Sequence, residues 1–431
     1  MVELNIAHYE VIKLELHIST KNDVPIISGD KDGSYVIKLH PDQMSSMLLD
    51  SRFKHLQELK LDSNRLTSLP PEVKHLSDLR VLSLWRNMIP SLPADISHLK
   101  RLQVLNLDHN ELTSLPSEIG MLEKLTELNL WSNNIASLPR ELKHLSNLTV
   151  LYLGSNEMPS VPPEICGLSN LQILHLTCNH LTTLPSEFSQ LTNLKELYLD
   201  CNQFQELPLV VCQLSQLRKL NISNNILIRL PSAISQLKQL EFLNLTFNYL
   251  SQLPDEISEL VMLREINLSH NQFTIFPPQV CNLPCLRKLY LNGNKIRSIF
   301  TGISKLKHLV KLSLNGNQLI SLPAEIGDLP SLLVLNVSNN QLASLPPEIK
   351  HLTTLDTLDV NNNYLSFLPP EIGQLKSLTS LLVYVNFLKT IPVEICDLPN
   401  LYIFFYDDNP GIYISPEVVT FLDVIEKRLV D

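Results

Sequence analysis

LQELKLDSNRLTSLPPEVKHL, residues 56–76, sets apolar side chains at Leu56, Leu59, Leu61, Leu66, Leu69, Val73 and Leu76 around a single Asn64. Leu59-x-Leu61 has period two, the spacing of a strand that buries one face. After Asn64 the apolar steps widen to three and four, as in a short helical or extended return to the start of the next strand. The same 23-residue unit recurs without insertion or deletion, so sixteen asparagines stand in one column: Asn64, Asn87, Asn110, Asn133, Asn156, Asn179, Asn202, Asn225, Asn248, Asn271, Asn294, Asn317, Asn340, Asn363, Asn386 and Asn409. One unit cannot cover its own leucines. Units stacked about 4.8 Å apart through a parallel sheet can, so the spacing predicts an α/β solenoid. The strand side packs closer than the return side, which predicts a curved horseshoe with the strands on its concave wall.

The asparagine column has a structural explanation. A turn after every strand buries backbone amides and carbonyls that need partners, and an Asn side chain supplies both donors and an acceptor. The reading is therefore an internal Asn ladder rather than a ligand site. A proline follows the fourth apolar column in 14 of 15 repeats, from Pro70 to Pro392, with Phe300 the exception. Two residues later an acid stands in 11 of 15, including Glu72, Asp95, Glu118, Glu164 and Glu394. Proline in the first helical turn, with an acid there facing the positive end of the helix dipole, is helix-start chemistry and the preferred reading over a docking stripe.

The repeat overrides the two or three domains that 431 residues would otherwise suggest. The expected organisation is a β-rich cap with a short helix over residues 1–52, sixteen repeats over 53–409, and a capping helix over 410–431. In the first segment, residues 11–18 alternate as a strand. Ser34–Leu39 offers a second strand after a turn near Asp32-Gly33, and Asp42–Leu49 reads as a helix. At the far end Ser415-Pro416-Glu417 is a helix start, and Val418, Phe421, Leu422, Ile425 and Leu429 form an apolar stripe to lie over the last repeat.

Forty-four acidic residues against 34 Lys plus Arg leave a net charge of −10, with no basic stripe in view, which argues against a nucleic-acid partner. The seven cysteines include no CxxC pair and none lies in a terminal segment, which points to a reducing compartment. Cys178 and Cys201 share a column in adjacent repeats and read as two unlinked thiols; a disulfide, or a metal pair with His175, is the less favoured reading. Met1 to His17 lacks the basic end and apolar run of a signal peptide, and no stretch of 18 apolar residues offers a membrane span. The sequons at Asn147, Asn221, Asn244, Asn267 and Asn336 read as by-products of the repeat in a cytoplasmic protein.

Catalytic signatures are missing. No P-loop, GxGxxG, GxSxG or HExxH occurs, and histidines such as His55, His75, His98, His144 and His351 sit at repeat boundaries instead of converging. The expectation is a non-enzymatic chain that needs no metal or cofactor, is monomeric when free, and does not insert into membranes. Its binding surface is the concave wall. Both tryptophans, Trp85 and Trp131, fall in the column of Asp62, with Arg86, His109, Tyr152, His175 and Tyr198 around them. Large aromatics and arginine dominate binding hot spots, so these seven residues are the candidate partner site. Phe242, Phe247, His270 and Tyr290 form a thinner second group. Asn292, Gly293, Asn315, Gly316, Asn336 and Asn339 make a polar wall beyond it.

The unit L-x-x-L-x-L-x-x-N-x-L-x-x-L-P-x-x-I-x-x-L, as in Leu102–Leu122, resembles the intracellular 23-residue class of leucine-rich-repeat proteins. Its S-L-P-x-E-I signature at Ser114–Ile119 is similar to that of the plant Ras-group proteins, the Ras–Raf phosphatase scaffold and the Scribble/Erbin polarity scaffolds. The resemblance implies a leucine-rich-repeat scaffold or adaptor that binds a signalling protein, such as a small GTPase or phosphatase, on its concave face. The alternative is a recognition or effector module for a glycan or lipid fragment.

Overall fold

The computed structural model describes residues 13–18, 27–29, 34–39, 45, 48–49 and 53–430, with side chains at 45, 48–49 and 53–425. The chain divides into two compact units, Met1–Phe204 and Gln205–Asp431. Each is a repeat solenoid with a parallel sheet on one side and short helical returns on the other.

In the first unit, strands β1 (Lys13–Ile18), β2 (Ile27–Gly29) and β3 (Ser34–Leu39) precede the repeats. The segment Ser34–Leu39 is thus the third strand and not the second. It pairs parallel with β1 and antiparallel with β2, and β1 in turn pairs parallel with β4 (Glu58–Lys60), the first repeat strand. The turn expected at Asp32-Gly33 lies outside the described residues, as does most of the Asp42–Leu49 helix, of which Ser45 and Leu48 are helical. Seven repeat strands follow from β4 to β10 (Glu196–Tyr198). In the second unit nine run from β11 (Lys219–Asn221) to β19 (Ile403–Phe405). Partners in adjacent strands stand 23 residues apart, as in Leu59↔Leu82 and Leu358↔Leu381, so the sequence period and the sheet register are one quantity.

Each repeat strand is three residues long and buries its middle residue; Leu59 and Leu61 are fully enclosed, as are their counterparts in every repeat but the last, where Phe404 is 9% exposed and Tyr406 is half-buried. A fully buried leucine contributes roughly 1.5–3 kcal/mol, so the repeated apolar columns dominate stability. The return segments are five-residue 3-10 helices such as Pro71–His75, with Leu209–Cys212 the one α-helical turn among them. The prolines take a different place from that expected. Pro70 is the N-cap, extended at φ −63° and ψ 140°, and lies just outside the helix; a first helical position is filled only by second prolines such as Pro71 and Pro347. Phe300 substitutes because its φ of −68° lies where a proline ring would hold it. The acids do fall in the first helical turn, where the unsatisfied N–H groups attract them.

The asparagines are buried, 2–8% exposed, and their bonds explain the column. Asn87 accepts the Leu66 N–H on Oδ1 at 2.9 Å, and its Nδ2 donates to the Leu61 and Leu84 carbonyls at 2.9 Å each. One side chain therefore closes its own turn and ties it to the preceding repeat. Asn110, Asn202, Asn317 and Asn386 repeat the pattern.

The residue before each ladder asparagine is left-handed in all sixteen repeats, from Ser63 at φ 57° to Asp408 at 54°. Glycine stands there twice, at Gly293 and Gly316; the others include Phe247 and Val385, for which positive φ is costly. No single residue type marks this column, although half of it is Asn, Asp, His or Gly, the types that take positive φ most readily.

At the chain's far end the helix Pro416–Val430 starts with Ser415, whose Oγ accepts the Val418 N–H at 3.4 Å. Val418, Leu422 and Ile425 are buried and Phe421 is half-buried, with the helix set against the return turn Val393–Asp397; Leu429 lies beyond the described side chains.

Candidate protein-binding face

The solvent side of each strand offers three positions per repeat, those of Glu58, Lys60 and Asp62. The middle one has a structural task in several repeats. Asn129 Oδ1 accepts the Trp131 N–H at 3.0 Å, and Asn106, Asn221, Asn244, Asn267 and Asn336 brace the amide two residues on in the same way. In β8 (Val150–Tyr152), β9 (Ile173–His175) and β10 this position carries Tyr152, His175 and Tyr198 instead. Their side chains pack against one another instead of bracing the amide two residues on.

Four of the seven candidate residues come together. His175 stacks on Tyr198 with centroids 3.9 Å apart and an 11° interplanar angle, meets Tyr152 at 4.9 Å, and takes the edge of Trp131 at 6.0 Å. Trp131 lies flat over Gly154 in the next repeat, where a Cβ would stand 2.3 Å from the ring; Gly154 is what lets the indole lie down. The enclosure costs His175 its hydration and lowers its pKa from 6.5 to about 4, so the imidazole is neutral at pH 7. Tyr198 donates its hydroxyl to Glu196 Oε2 at 2.8 Å, and burial and that carboxylate push its pKa up.

The other three stand apart. Trp85 is 37% exposed and has no ring partner among the described residues. Arg86 and His109 occupy the left-handed column, and His109 Nδ1 is bonded to Asp108 Oδ1 at 2.6 Å. Cys178 and Cys201 share that column as free thiols, and desolvation, with Cys178 beside it, raises the Cys201 pKa to about 11. Such a thiol is a poor nucleophile at neutral pH. Among the described residues no group of His, Cys, Asp and Glu is arranged to hold a metal, and no helix is long and apolar enough to cross a membrane.

In the second unit Phe247 stacks on His270 at 4.2 Å and 4°, and His270 covers Gly293. Phe242 is half-buried in its strand and Tyr290 lies under the Lys311 ammonium.

Two features escaped the reading of the sequence. The last repeats expose an apolar group in which Phe387 (51% exposed) meets Tyr364 at 6.0 Å, with Val385 and Phe405 (52%) also open. Their signal was the replacement of asparagine by Leu382 and Phe405 in the middle strand column. The second is a correction: a basic stretch does exist. Residues 264–324 carry eight Lys or Arg against the single acid Glu265, so the rest of the chain carries −17. Whole-chain charge concealed it because the two parts cancel.

The family described as a leucine-rich repeat region matches residues 42–158, 127–223 and 295–402, and related repeat descriptions match 215–273 and 261–305. A leucine-rich-repeat protein of Leptospira interrogans is similar in structure, with a TM-score of 0.84 and 39% identity over 89% of this chain and 97% of its own. The leucine-rich-repeat ectodomain of the plant membrane receptor kinase GASSHO1/SCHENGEN3 from Arabidopsis thaliana, in complex with Casparian strip integrity factor 2, has a TM-score of 0.68. It is 29% identical over 86% of this chain, which spans about half (49%) of that one. The Drosophila Toll–Spatzle complex shares the fold at a TM-score of 0.75 and 22% identity. No curated protein matches the chain. The 23-residue register, the buried asparagine ladder and these matches together make the chain a member of the leucine-rich-repeat family.

Proposed function

We propose that the chain is a non-catalytic, cytoplasmic adaptor that grips a signalling protein through the solvent face of its sheet. Leucine-rich repeats generally mediate protein–protein interaction. The observation that carries the reading is the contiguous Trp131–Tyr152–His175–Tyr198 surface, in which aromatic rings displace the bracing asparagine. Rings already held by one another and by Gly154 lose little freedom on binding, which favours their use as anchors. Trp85, Arg86 and His109 extend the contact at its rim. The free thiols of Cys178 and Cys201 support a reducing location, and a small GTPase or a phosphatase is the partner class that the S-L-P-x-E-I resemblance favours.

The test is affinity purification from the native cell, followed by titration of the purified partner against single substitutions. Trp131→Ala or Tyr198→Ala should weaken binding by about 2 kcal/mol, close to thirtyfold. Phe387→Ala, in the exposed group of the other unit, should change it little. Wild-type affinity for both aromatic variants, together with loss for Phe387→Ala, would move the interface to the last repeats. Capture of a glycan or lipid fragment and no protein would replace the adaptor by a small-ligand recognition module.

A further inference from the structure

Within the second unit, strands β13 (Glu265–Asn267), β14 (Lys288–Tyr290) and β15 (Lys311–Ser313) set Glu265, Lys288 and Lys311 side by side in register. Arg264 and Arg287 lie one residue ahead of the first two, at the entry edge of the sheet. Lys288 pairs with Glu265 at 3.0 Å, and Arg264 and Arg218 both reach Glu241 at 3.6 Å. Lys311 lies over Tyr290, 5.4 Å from the ring centre, and Arg287 has no ion-pair partner among the described residues. Five cations thus face two carboxylates along one edge.

The fold does not require them. The same strand column holds Val81, Val104, Val150, Ile173, Val334 and Thr357 elsewhere, residues better suited to a strand. Like charges directly opposite one another on neighbouring strands destabilise a sheet, and Lys288↔Lys311 is such a pair.

We propose that this edge, from Arg264 to Lys311, docks an acidic polypeptide segment of a partner protein. Lys288, Lys311 and Arg287 would take its carboxylates. Asn292, whose Oδ1 already accepts the Asn315 N–H and the Ser313 hydroxyl, would turn its amide nitrogen to the segment's backbone. A nucleic-acid strand fits less well. Tyr290, the ring within the stripe, has one face covered by Lys311, and the −17 carried by the rest of the chain repels a polyanion that runs beyond the patch. A lone small anion finds no enclosure, because Arg264, Arg287 and Lys288 are all exposed. This surface does not rest on the aromatic face of the first unit, and either can fail without the other.

The probe is a fluorescein-labelled Glu–Ser repeat peptide, titrated against the full chain by fluorescence anisotropy beside a Gln–Ser peptide of equal length and an oligothymidylate of equal charge. The acidic peptide should bind and the neutral one should not, with affinity falling steeply as salt is raised. Lys288→Gln with Lys311→Gln should weaken it at least about tenfold. Lys195→Glu, at the corresponding sheet edge of the first unit, should leave it close to wild type. Both positions are at the surface, and an unchanged circular-dichroism melt shows that the variants fold. No preference for the acidic peptide over the neutral one, or wild-type binding by the double variant, overturns the proposal; equal binding of the oligothymidylate replaces it by a general polyanion site.

Discussion

Truncating one rung of the asparagine ladder tests the account of the fold at its strongest point. Asn202 Oδ1 accepts the Leu181 N–H at 3.0 Å, and its Nδ2 donates to the Leu176 and Leu199 carbonyls at 2.9 and 3.1 Å. Asn202→Ala leaves one amide and two carbonyls buried without that partner. At roughly 1 kcal/mol or more for each, less what a water in the vacated space restores, the loss should be about 2–4 kcal/mol. Asn202→Asp keeps the shape and the acceptor but aims a buried carboxylate at two carbonyl oxygens. It should therefore be worse than alanine at neutral pH and recover relative to wild type in acid, where a protonated carboxyl regains one donor. Urea denaturation followed by circular dichroism gives the midpoints. Because a solenoid can open locally, hydrogen exchange at the Leu181 amide should accompany them. A wild-type midpoint for Asn202→Ala with the Leu181 amide still protected would refute the reasoning. So would an aspartate variant that is as stable as wild type at pH 7.

Three further outcomes follow from particular residues. Val385 is β-branched at φ 53°, so Val385→Asn should stabilise the chain by about 1 kcal/mol, read as a higher urea midpoint; no gain would mean that its packing outweighs the backbone strain. Gly154→Ala should lift the Trp131 ring from its seat, shifting tryptophan emission to the red and loosening the contact with His175 while the far-ultraviolet spectrum is unchanged; an unmoved emission would place the ring elsewhere. His175 has a folded pKa of about 4 against 6.5, so the folded state binds fewer protons below pH 6.5. Its contribution is complete above about pH 6.5 and is lost as pH falls through 4. His175→Phe should therefore flatten the melting-temperature profile between those pH values, and an identical profile would show that His175 does not titrate there.

Much of this molecule was legible because its period is a physical quantity. Leu59 and Leu61 face inward and Asn64 closes the turn, and an unbroken spacing of 23 forces every later strand into the same register. Strand number, buried columns and ladder could thus be read without coordinates. The carboxylates Glu72 and Asp95 were placed correctly in their turns, whereas Pro70, expected within the first turn, is the N-cap just before it. Spacing alone does not separate an N-cap from a first helical residue, since φ near −65° suits both. The packing of the candidate residues was legible in part. Tyr152, His175 and Tyr198 announced themselves as aromatics in one strand column, whereas only the structure shows that Arg86 and His109 stand in the left-handed turn beside them.

The sequence by itself determined the parallel sheet, its register and which residues are enclosed, because those depend on distances along the chain that recur every 23 residues. Tertiary structure alone decided what neighbouring repeats do to one another's side chains. Trp131 resting on Gly154, His175 held neutral between two tyrosines, and Phe247 stacking on His270 all join residues 23 apart. Their consequences depend on ring orientation, desolvation and ångström-scale separation, which no single repeat encodes.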